Sequence, residues 1–337
     1  MNLLKTPSLS SDRQARGIIA PVGGQVRRVI SIVAILALAA APLLVSTYAI
    51  ITITQMLAVA LLVMSLVLLM GHGGMISIGQ AGFFGVGGYT TGLLTGVITD
   101  NAVLMLVVAT LAGALSAAAV GWLLLRARSA YFLMLTLAIG EILTLIVIAW
   151  VDVTGGSDGL ANIPALSIVP GVELRHPAYV YWFVGAVVLL AALALVLLLS
   201  SPFGASLRGI RENEQRMRAL GYSTRWYKFA AIAISGGVAG LAGALSVIES
   251  NFIAPSDMGF HASAFALLAL IVGGSMSLWG AVLGAGLIIA VQNLLPLELQ
   301  GAGPLILGAT LILAVYLLPT GIAGLTSRLA NVRKASG

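Results

Sequence analysis

The chain has 337 residues, of which 60% are hydrophobic and only 8% are charged. A soluble domain carries about 25% charged residues, so this composition excludes a protein that folds in water. The net charge of +6 at pH 7 indicates Lys and Arg at the cytoplasmic membrane surface, which makes nucleic-acid binding the weaker interpretation. Because the chain has no cysteine, disulfides and thiolate metal sites are excluded as well.

Hydrophobic segments fill most of the chain. They predict an all-α fold, a polytopic membrane bundle of about ten helices, since one span needs about 20 apolar residues. This membrane domain covers 29–325, between polar tails at 1–28 and 326–337. A glycine pair separates 262–274 from 277–295, and we interpret the first, shorter segment as a broken or re-entrant helix. The predicted spans are 29–47, 49–70, 75–97, 102–125, 130–151, 178–200, 228–249, 262–274, 277–295 and 303–319.

The first predicted span has two interpretations. Its basic flank, its short apolar run and its ending at Ala39, Ala40 and Ala41 are also typical of a cleavable signal peptide. Because many further hydrophobic segments follow, a retained first helix is the simpler interpretation.

The distribution of positive charge predicts the orientation. With the N-terminus in the cytoplasm, every Lys and Arg except Arg175 lies on the cytoplasmic side, as the positive-inside rule requires. An even number of spans then places both termini in the cytoplasm. An external loop at 152–177 contains Gly and Pro residues that predict an irregular but ordered segment. The other long loop, at 201–227, is cytoplasmic.

The loop at 201–227 predicts a short amphipathic helix over 206–220. Gly221 suits the left-handed position after a helix end, and Ser223 and Thr224 can cap the next span. The helix either rests on anionic lipid or forms a docking surface for a cytoplasmic partner, and its pattern fits both interpretations. Its apolar residues are Leu207, Ile210, Met217 and Leu220.

A few polar side chains fall inside predicted spans. Glu141 lies near the middle of the fifth span, where an unpaired carboxylate is costly, so we expect it to be buried and partnered. Thr144 lies on the same side of that helix. The two indicate either a pathway or gating surface or, more simply, a hydrogen-bonded anchor between helices. Ser77 and Gln80, in the third span, are further candidates for the translocation pathway.

Glycines spaced four apart predict helix faces that pack closely. Gly88, Gly92 and Gly96 form one series, and Gly236 and Gly240 form another. The alternative is a close approach of the backbone to a moving substrate.

A Gly-Gly-x-x-Ser pattern occurs at 73–77 and again at 273–277, in both cases beside glycine-rich helices. Transporters often contain paired, glycine-interrupted helices from internal duplication. Glycine is also common in membrane helices, so a chance match is the alternative interpretation.

Several segments together resemble one family of membrane proteins. Residues 204–245 resemble the ATPase-docking loop and the following helix of bacterial ABC permeases; their sequence is GASLRGIRENEQRMRALGYSTRWYKFAAIAISGGVAGLAGAL. They are most similar to the branched-chain amino acid permease family, LivM type. The loop departs from the generic docking motif, which has Glu-Ala-Ala before its glycine, because Gln215 and Arg216 follow Glu214. Three other segments resemble the same family and occur in the expected order. They are GHGGMISIGQAGFFGVGGYTTGLL (71–94), YFLMLTLAIGEILTL with TGGSDGLANIP (131–164) and LLALIVGGSMSLWGAVLGAGL (267–287).

The resemblance implies a permease subunit of an ATP-driven importer for branched-chain or related hydrophobic amino acids, in a bacterial inner membrane. Such a subunit pairs with a second, LivH-like permease subunit, each permease docks one of two cytoplasmic ATPases, and an external binding protein delivers the amino acid. ATP and magnesium belong to the ATPases, so the chain itself is expected to bind no cofactor and to be no enzyme. It lacks the G-x-x-x-x-G-K-[ST] phosphate loop. The implied docking residues are Ile210, Glu214, Met217, Ala219, Leu220 and Gly221.

Other functions remain as alternatives. Related permeases move urea, short amides or other small polar solutes. A secondary transporter usually needs several charged residues inside the membrane, and Glu141 is the one clear example here. A channel or a structural scaffold fits less well. His72 and His261 have no second ligand at metal-binding spacing.

Overall fold

The computed structural model describes residues 45–126, 130–169, 172–294 and 308. The predicted tails at 1–28 and 326–337 lie outside these residues, as do almost all of the first predicted span and all of the last except Gly308. From Ser46 onward, the described residues belong to one packed unit.

Helices dominate the described residues. Six helical segments are long and apolar enough to cross a membrane, which confirms a polytopic helical protein. Within the described ranges, the only strands are β1 (Ser167–Val169) and β2 (Val172–Glu173), which pair antiparallel. The helices are α1 (Thr47–Leu66, continued by a π-helical turn, Val67–His72), α2 (Gln80–Leu94), α3 (Ala102–Leu124), α4 (Ala130–Ala149), α5 (Val151–Thr154), α6 (Pro177–Ser200), α7 (Pro202–Glu212), α8 (Glu214–Ala219), α9 (Thr224–Ser250), α10 (Phe260–Gly273) and α11 (Leu278–Leu294).

At the centre of the bundle, α9 packs against both α2 and α3. Glycines allow this contact. A Cβ at Gly87 of α2 would lie 2.1 Å from the Gly240 carbonyl oxygen, and one at Gly113 of α3 would lie 2.5 Å from the Gly236 carbonyl oxygen. Gly236 and Gly240 therefore lie at close contacts between helix backbones.

The other glycine series is divided by the end of α2. Gly88 and Gly92 lie on the helix and face side chains of Ile253 and Ile163, respectively. Gly96 lies beyond the last residue of α2 and has φ +78°. The prediction that Gly96 shares the packing face is wrong, because the four-residue spacing continues past the point where the helix stops.

The start of α2 differs from the prediction. Residues 73–79 are not helical, and the helix begins at Gln80, not at 75. The segment runs against α4, where a Cβ at Gly79 would lie 1.9 Å from the Thr136 carbonyl oxygen. The Thr136 hydroxyl also accepts a backbone N–H of the segment, that of Ile78, at 3.2 Å. Irregular backbone is tolerated inside a membrane protein where neighbouring protein supplies its hydrogen bonds.

A second interruption separates α10 from α11. These helices have only 14 and 17 residues, and Gly274 between them has φ +106°. A Cβ at Gly273 would lie 2.0 Å from the Gly280 carbonyl oxygen, so the two helices touch backbone to backbone at the turn. Together with the 3-10 turn before it, α10 forms the 19-residue segment Pro255–Gly273, which is long and apolar enough to cross a membrane, so the interpretation of a broken or re-entrant helix is not supported.

The loop at 152–177 is irregular and anchored at several points. Leu160 and Ile253 exchange backbone hydrogen bonds of 2.8 and 3.0 Å, and the Ser167 N–H donates to the Asp100 carbonyl oxygen at 2.7 Å. The loop is therefore a fixed part of its end of the bundle. The buried apolar cluster that holds it contains Tyr89, Ile163, Val247, Ile253 and Met258.

Candidate functional site

The loop at 201–227 contains two helices where the sequence predicted one. α7 ends at Glu212 and α8 begins at Glu214. Asn213 between them is extended, with φ −157° and ψ 96°, and its Oδ1 accepts the Arg216 N–H at 2.9 Å. Asparagine is among the best residues for capping a helix N-terminus. The prediction of one continuous helix is wrong because this cap starts a second one.

The two halves of the loop differ in burial. In α7, Leu207 and Ile210 are 0% and 3% exposed, because they pack into the bundle. Leu220, directly after α8, is 64% exposed. Ile210 is therefore unavailable as an anchor for a partner, which corrects its predicted docking role. Ala219 is exposed as well, and Met217 is half-buried.

Glu214 ties α8 to the first turns of α9. Its Oε1 accepts from Arg218 Nη2 at 2.6 Å and from Thr224 Oγ1 at 3.1 Å, and its Oε2 accepts from Lys228 Nζ at 2.6 Å. Burial by itself would raise the pKa of this carboxyl, but the hydrogen bonds from Lys228 and Arg218 outweigh burial and hold the pKa of Glu214 below its usual value. Glu214 thus holds α8 against the start of α9.

Gly221 ends α8 in the left-handed conformation predicted for it, with φ +88°. The Tyr222 N–H donates to the Met217 carbonyl oxygen at 3.1 Å, and the Gly221 N–H donates to the Arg218 carbonyl oxygen at 3.0 Å. This pair of bonds is a Schellman motif. No atom lies within 4 Å of the place where a Cβ would be, so only the backbone conformation opposes a side chain here.

Aromatic side chains extend the exposed surface beyond the residues that the sequence singled out. Tyr222 and Trp226 are 42% and 64% exposed, close along the chain to Leu220. Sequence reasoning missed both, because it treated them as the connection into the next span. Their position between Gly221 and the predicted start of the next span at 228 is the signal that points to them.

Gln80 and Ser77 lie in the protein interior, 1% and 2% exposed. Gln80 Nε2 donates to Ser235 Oγ at 2.8 Å and to Ser65 Oγ at 3.0 Å, which joins α2 to α9 and α1. Ser77 Oγ accepts the Gly79 N–H at 3.4 Å. The Gln80 bonds hold helices together, the Ser77 bond is local to its own segment, and a role of either residue in the pathway stays a prediction.

Glu141 caps the N-terminus of α10. Its Oε1 accepts the Phe260 N–H at 2.8 Å, and Phe260 is the first residue of that helix. A carboxylate is favoured there because the N-terminus is the positive end of the helix dipole. Glu141 is partnered, as expected, but it is half-exposed where burial was predicted. Thr144 is buried, and its hydroxyl donates within its own helix, to the Gly140 carbonyl oxygen at 3.0 Å.

These contacts join the loop to the membrane helices. α7 is packed into the bundle, α8 is exposed, and the Glu214 network holds α8 to α9. The exposed part of the loop is therefore connected to the bundle both through the packed helix α7 and through the Glu214 contacts with α9. Among the described residues, no group of three or more His, Asp or Glu side chains is arranged to hold a metal ion.

Comparison with known proteins identifies the family. The high-affinity branched-chain amino acid transport system permease protein LivM of Escherichia coli (strain K12) is 28% identical to the chain over 328 residues, covering 90% of this chain and 77% of that protein. The protein of the same name from Salmonella typhimurium is 27% identical with the same coverage. No solved structure matches the chain. Residues 48–315 match the family described as branched-chain amino acid transport system / permease component, and the chain therefore belongs to that family.

Proposed function

We propose that this chain is the permease subunit of an ATP-driven importer of branched-chain or related hydrophobic amino acids, coupled to a cytoplasmic ATPase through the 201–227 loop. The observation that carries the proposal is the exposure of Leu220, Tyr222 and Trp226, which lie close together along the chain after the packed helix α7. Apolar and aromatic anchors of this kind fit a cleft on a partner protein. The names of the relatives support the substrate class.

The rest of the assembly follows from this role. A second, LivH-like permease subunit forms the other half of the pathway, two ATPases hold ATP and magnesium, and an external binding protein delivers the amino acid. ATP closes the ATPase pair and displaces the loops, and α7 carries the displacement into the bundle. The chain then lies in a bacterial inner membrane with about ten spans, and both termini are in the cytoplasm.

Substitutions after α8 test the docking role. Leu220→Asp places a charge where an apolar anchor is proposed, and loss of a well-buried interface anchor often costs about 2 kcal/mol or more. Gly221→Val forces a β-branched residue into a backbone with φ +88°, which redirects the chain into α9. We expect both variants to remain in the membrane but to lose co-purifying ATPase, leucine uptake and transport-stimulated ATP hydrolysis in vesicles.

Ile98→Asp is the matched control, because Ile98 is 66% exposed, close to the 64% of Leu220, and follows α2. This variant should retain the ATPase. If the loop rests on lipid instead, Leu220→Asp weakens membrane association slightly, and removal of the loop arginines has the larger effect. Full ATPase retention and normal stimulated hydrolysis in both loop variants would eliminate the docking role.

A further inference from the structure

Two turns that interrupt membrane helices meet beside α7. The first turn (71–77) begins in the last residues of the π-helical turn after α1 and leads toward α2, and the second turn (273–277) begins at the last residue of α10 and leads to α11. Each contains a left-handed glycine, Gly74 with φ +67° and Gly274 with φ +106°. Their backbones touch, since a Cβ at Gly71 would lie 2.1 Å from the Ser275 carbonyl oxygen. The contact thus lies two residues before the first Gly-Gly-x-x-Ser repeat and within the second.

Arg211, near the end of α7, lies across this contact. Its Nη1 donates to the Gly71 carbonyl oxygen of the first turn and contacts the Met276 sulfur of the second turn. Its Cγ is 2.8 Å from the place where a Cβ of Gly74 would be, so the side chain runs along the first turn. Gly71 lies in the last turn of a helix, where the negative end of the dipole favours a cation.

α7 holds the backbone of Arg211 in place. Leu207 and Ile210 are buried in the bundle, and a Cβ at Gly204 would lie 2.2 Å from the Leu199 carbonyl oxygen at the end of α6. Packed interiors resist deformation and transmit strain. When the loop is displaced, Arg211 therefore moves with α7.

We propose that Arg211 is the positioning residue that carries movement of the 201–227 loop to both glycine turns, and through them to α2, α10 and α11. The inference rests on the proposed function, because it needs an ATPase that moves the loop. One guanidinium that contacts both turns shifts the interrupted helices together. Without this side chain, the ATPase still binds the exposed surface after α8, but its movement no longer reaches the turns.

Arg211→Ala in the assembled complex tests this role against Arg208→Ala. Arg208 is a matched control on the same helix, since its Nη1 donates to the Leu199 carbonyl oxygen at 2.9 Å and so contacts the end of α6. Coupling between sites is typically worth about 5- to 150-fold. We expect Arg211→Ala to lower the stimulation of ATP hydrolysis by loaded binding protein at least about fivefold, with co-purifying ATPase and unstimulated hydrolysis unchanged. Arg208→Ala should match the wild type.

Thiol labelling separates transmission from loss of structure. The chain has no cysteine, so Ile76→Cys, at a 42% exposed position in the first turn, creates a unique site for a maleimide. With Arg211 present, the labelling rate should differ between the nucleotide-free and the vanadate-trapped complex. With Arg211→Ala, the two rates should become equal. If Arg211→Ala raises the labelling rate in both the nucleotide-free and the vanadate-trapped complex but the two rates still differ, Arg211 has a structural role only and the proposal is overturned.

Normal stimulation in Arg211→Ala, or an equal loss in Arg208→Ala, would also overturn it. If Arg211→Ala does not assemble, Met276→Leu replaces it, because this change removes only the sulfur contact in the second turn. Partial loss of stimulation in Met276→Leu then supports the proposal, and full stimulation overturns it. Failure of the proposed function is distinct, since the wild-type complex itself would lack the ATPase or leucine uptake.

Discussion

The carboxylate of Glu141 shows how a single charge is accommodated among apolar helices. Its charge lies at the N-terminus of α10, where it accepts the Phe260 N–H at 2.8 Å. The helix terminus supplies both a hydrogen-bond donor and a positive partial charge. A neutral side chain of the same shape keeps the hydrogen bond, whereas an apolar side chain leaves the N–H without this acceptor.

Replacement of Glu141 should therefore depend on whether the new side chain can accept a hydrogen bond. Glu141→Gln should fold and keep most transport. Glu141→Leu should be destabilised by about 0.5–2 kcal/mol, the usual cost of losing a helix cap, and should lose more transport. Thermal unfolding midpoints in detergent and leucine uptake in vesicles measure the two effects. Wild-type behaviour of both variants would refute a role for this side chain.

Among the elements, α9 depends on glycine for its place between α2 and α3. Gly87, Gly236 and Gly240 bring helix backbones together without intervening side chains. In membranes, van der Waals packing of this kind drives much of helix association, because lipid tails are as apolar as the helices. A single added methyl group at such a contact has to separate two backbones.

Gly87→Ala should disturb the contact between α2 and α9. Its Cβ would lie 2.1 Å from the Gly240 carbonyl oxygen, and overpacking typically costs about 1–3 kcal/mol. Gly185→Ala is the control, since the nearest atom to its added Cβ is 4.0 Å away, on Leu57. The unfolding midpoint in detergent should fall for Gly87→Ala alone. Equal midpoints for the two variants would contradict the packing role.

At the scale of the whole molecule, the one-sided distribution of Lys and Arg predicts the orientation of the bundle. Ser157→Cys and Gln215→Cys place unique thiols at exposed positions in the 152–177 and 201–227 loops. A membrane-impermeant maleimide added to intact cells should label the Ser157→Cys variant. The Gln215→Cys variant should react only after the membrane is opened. Labelling of Gln215→Cys in intact cells would show that the orientation is the opposite of the predicted one.

Local features of this protein could be read from the sequence. Composition alone determined that the chain is a helical membrane protein. Hydropathy located α3 and α6 within a residue of their ends, at Ala102–Leu124 and Pro177–Ser200. The left-handed conformation of Gly221 was predictable too, because it depends on the few residues around a helix end. All of these properties are set by neighbours along the chain or by the surrounding lipid.

Tertiary structure decided which distant residues meet. Hydropathy cannot distinguish an apolar helix face buried in the bundle from one that binds a partner protein. Ile210 was therefore assigned to docking, although it packs inside the bundle. The spacing of glycines did not reveal that α2 begins only at Gln80, because the preceding segment is held by α4. The contact of Arg211 with Gly71 joins residues 140 positions apart, and it exists because the helices stack so that two interrupted segments meet beside α7.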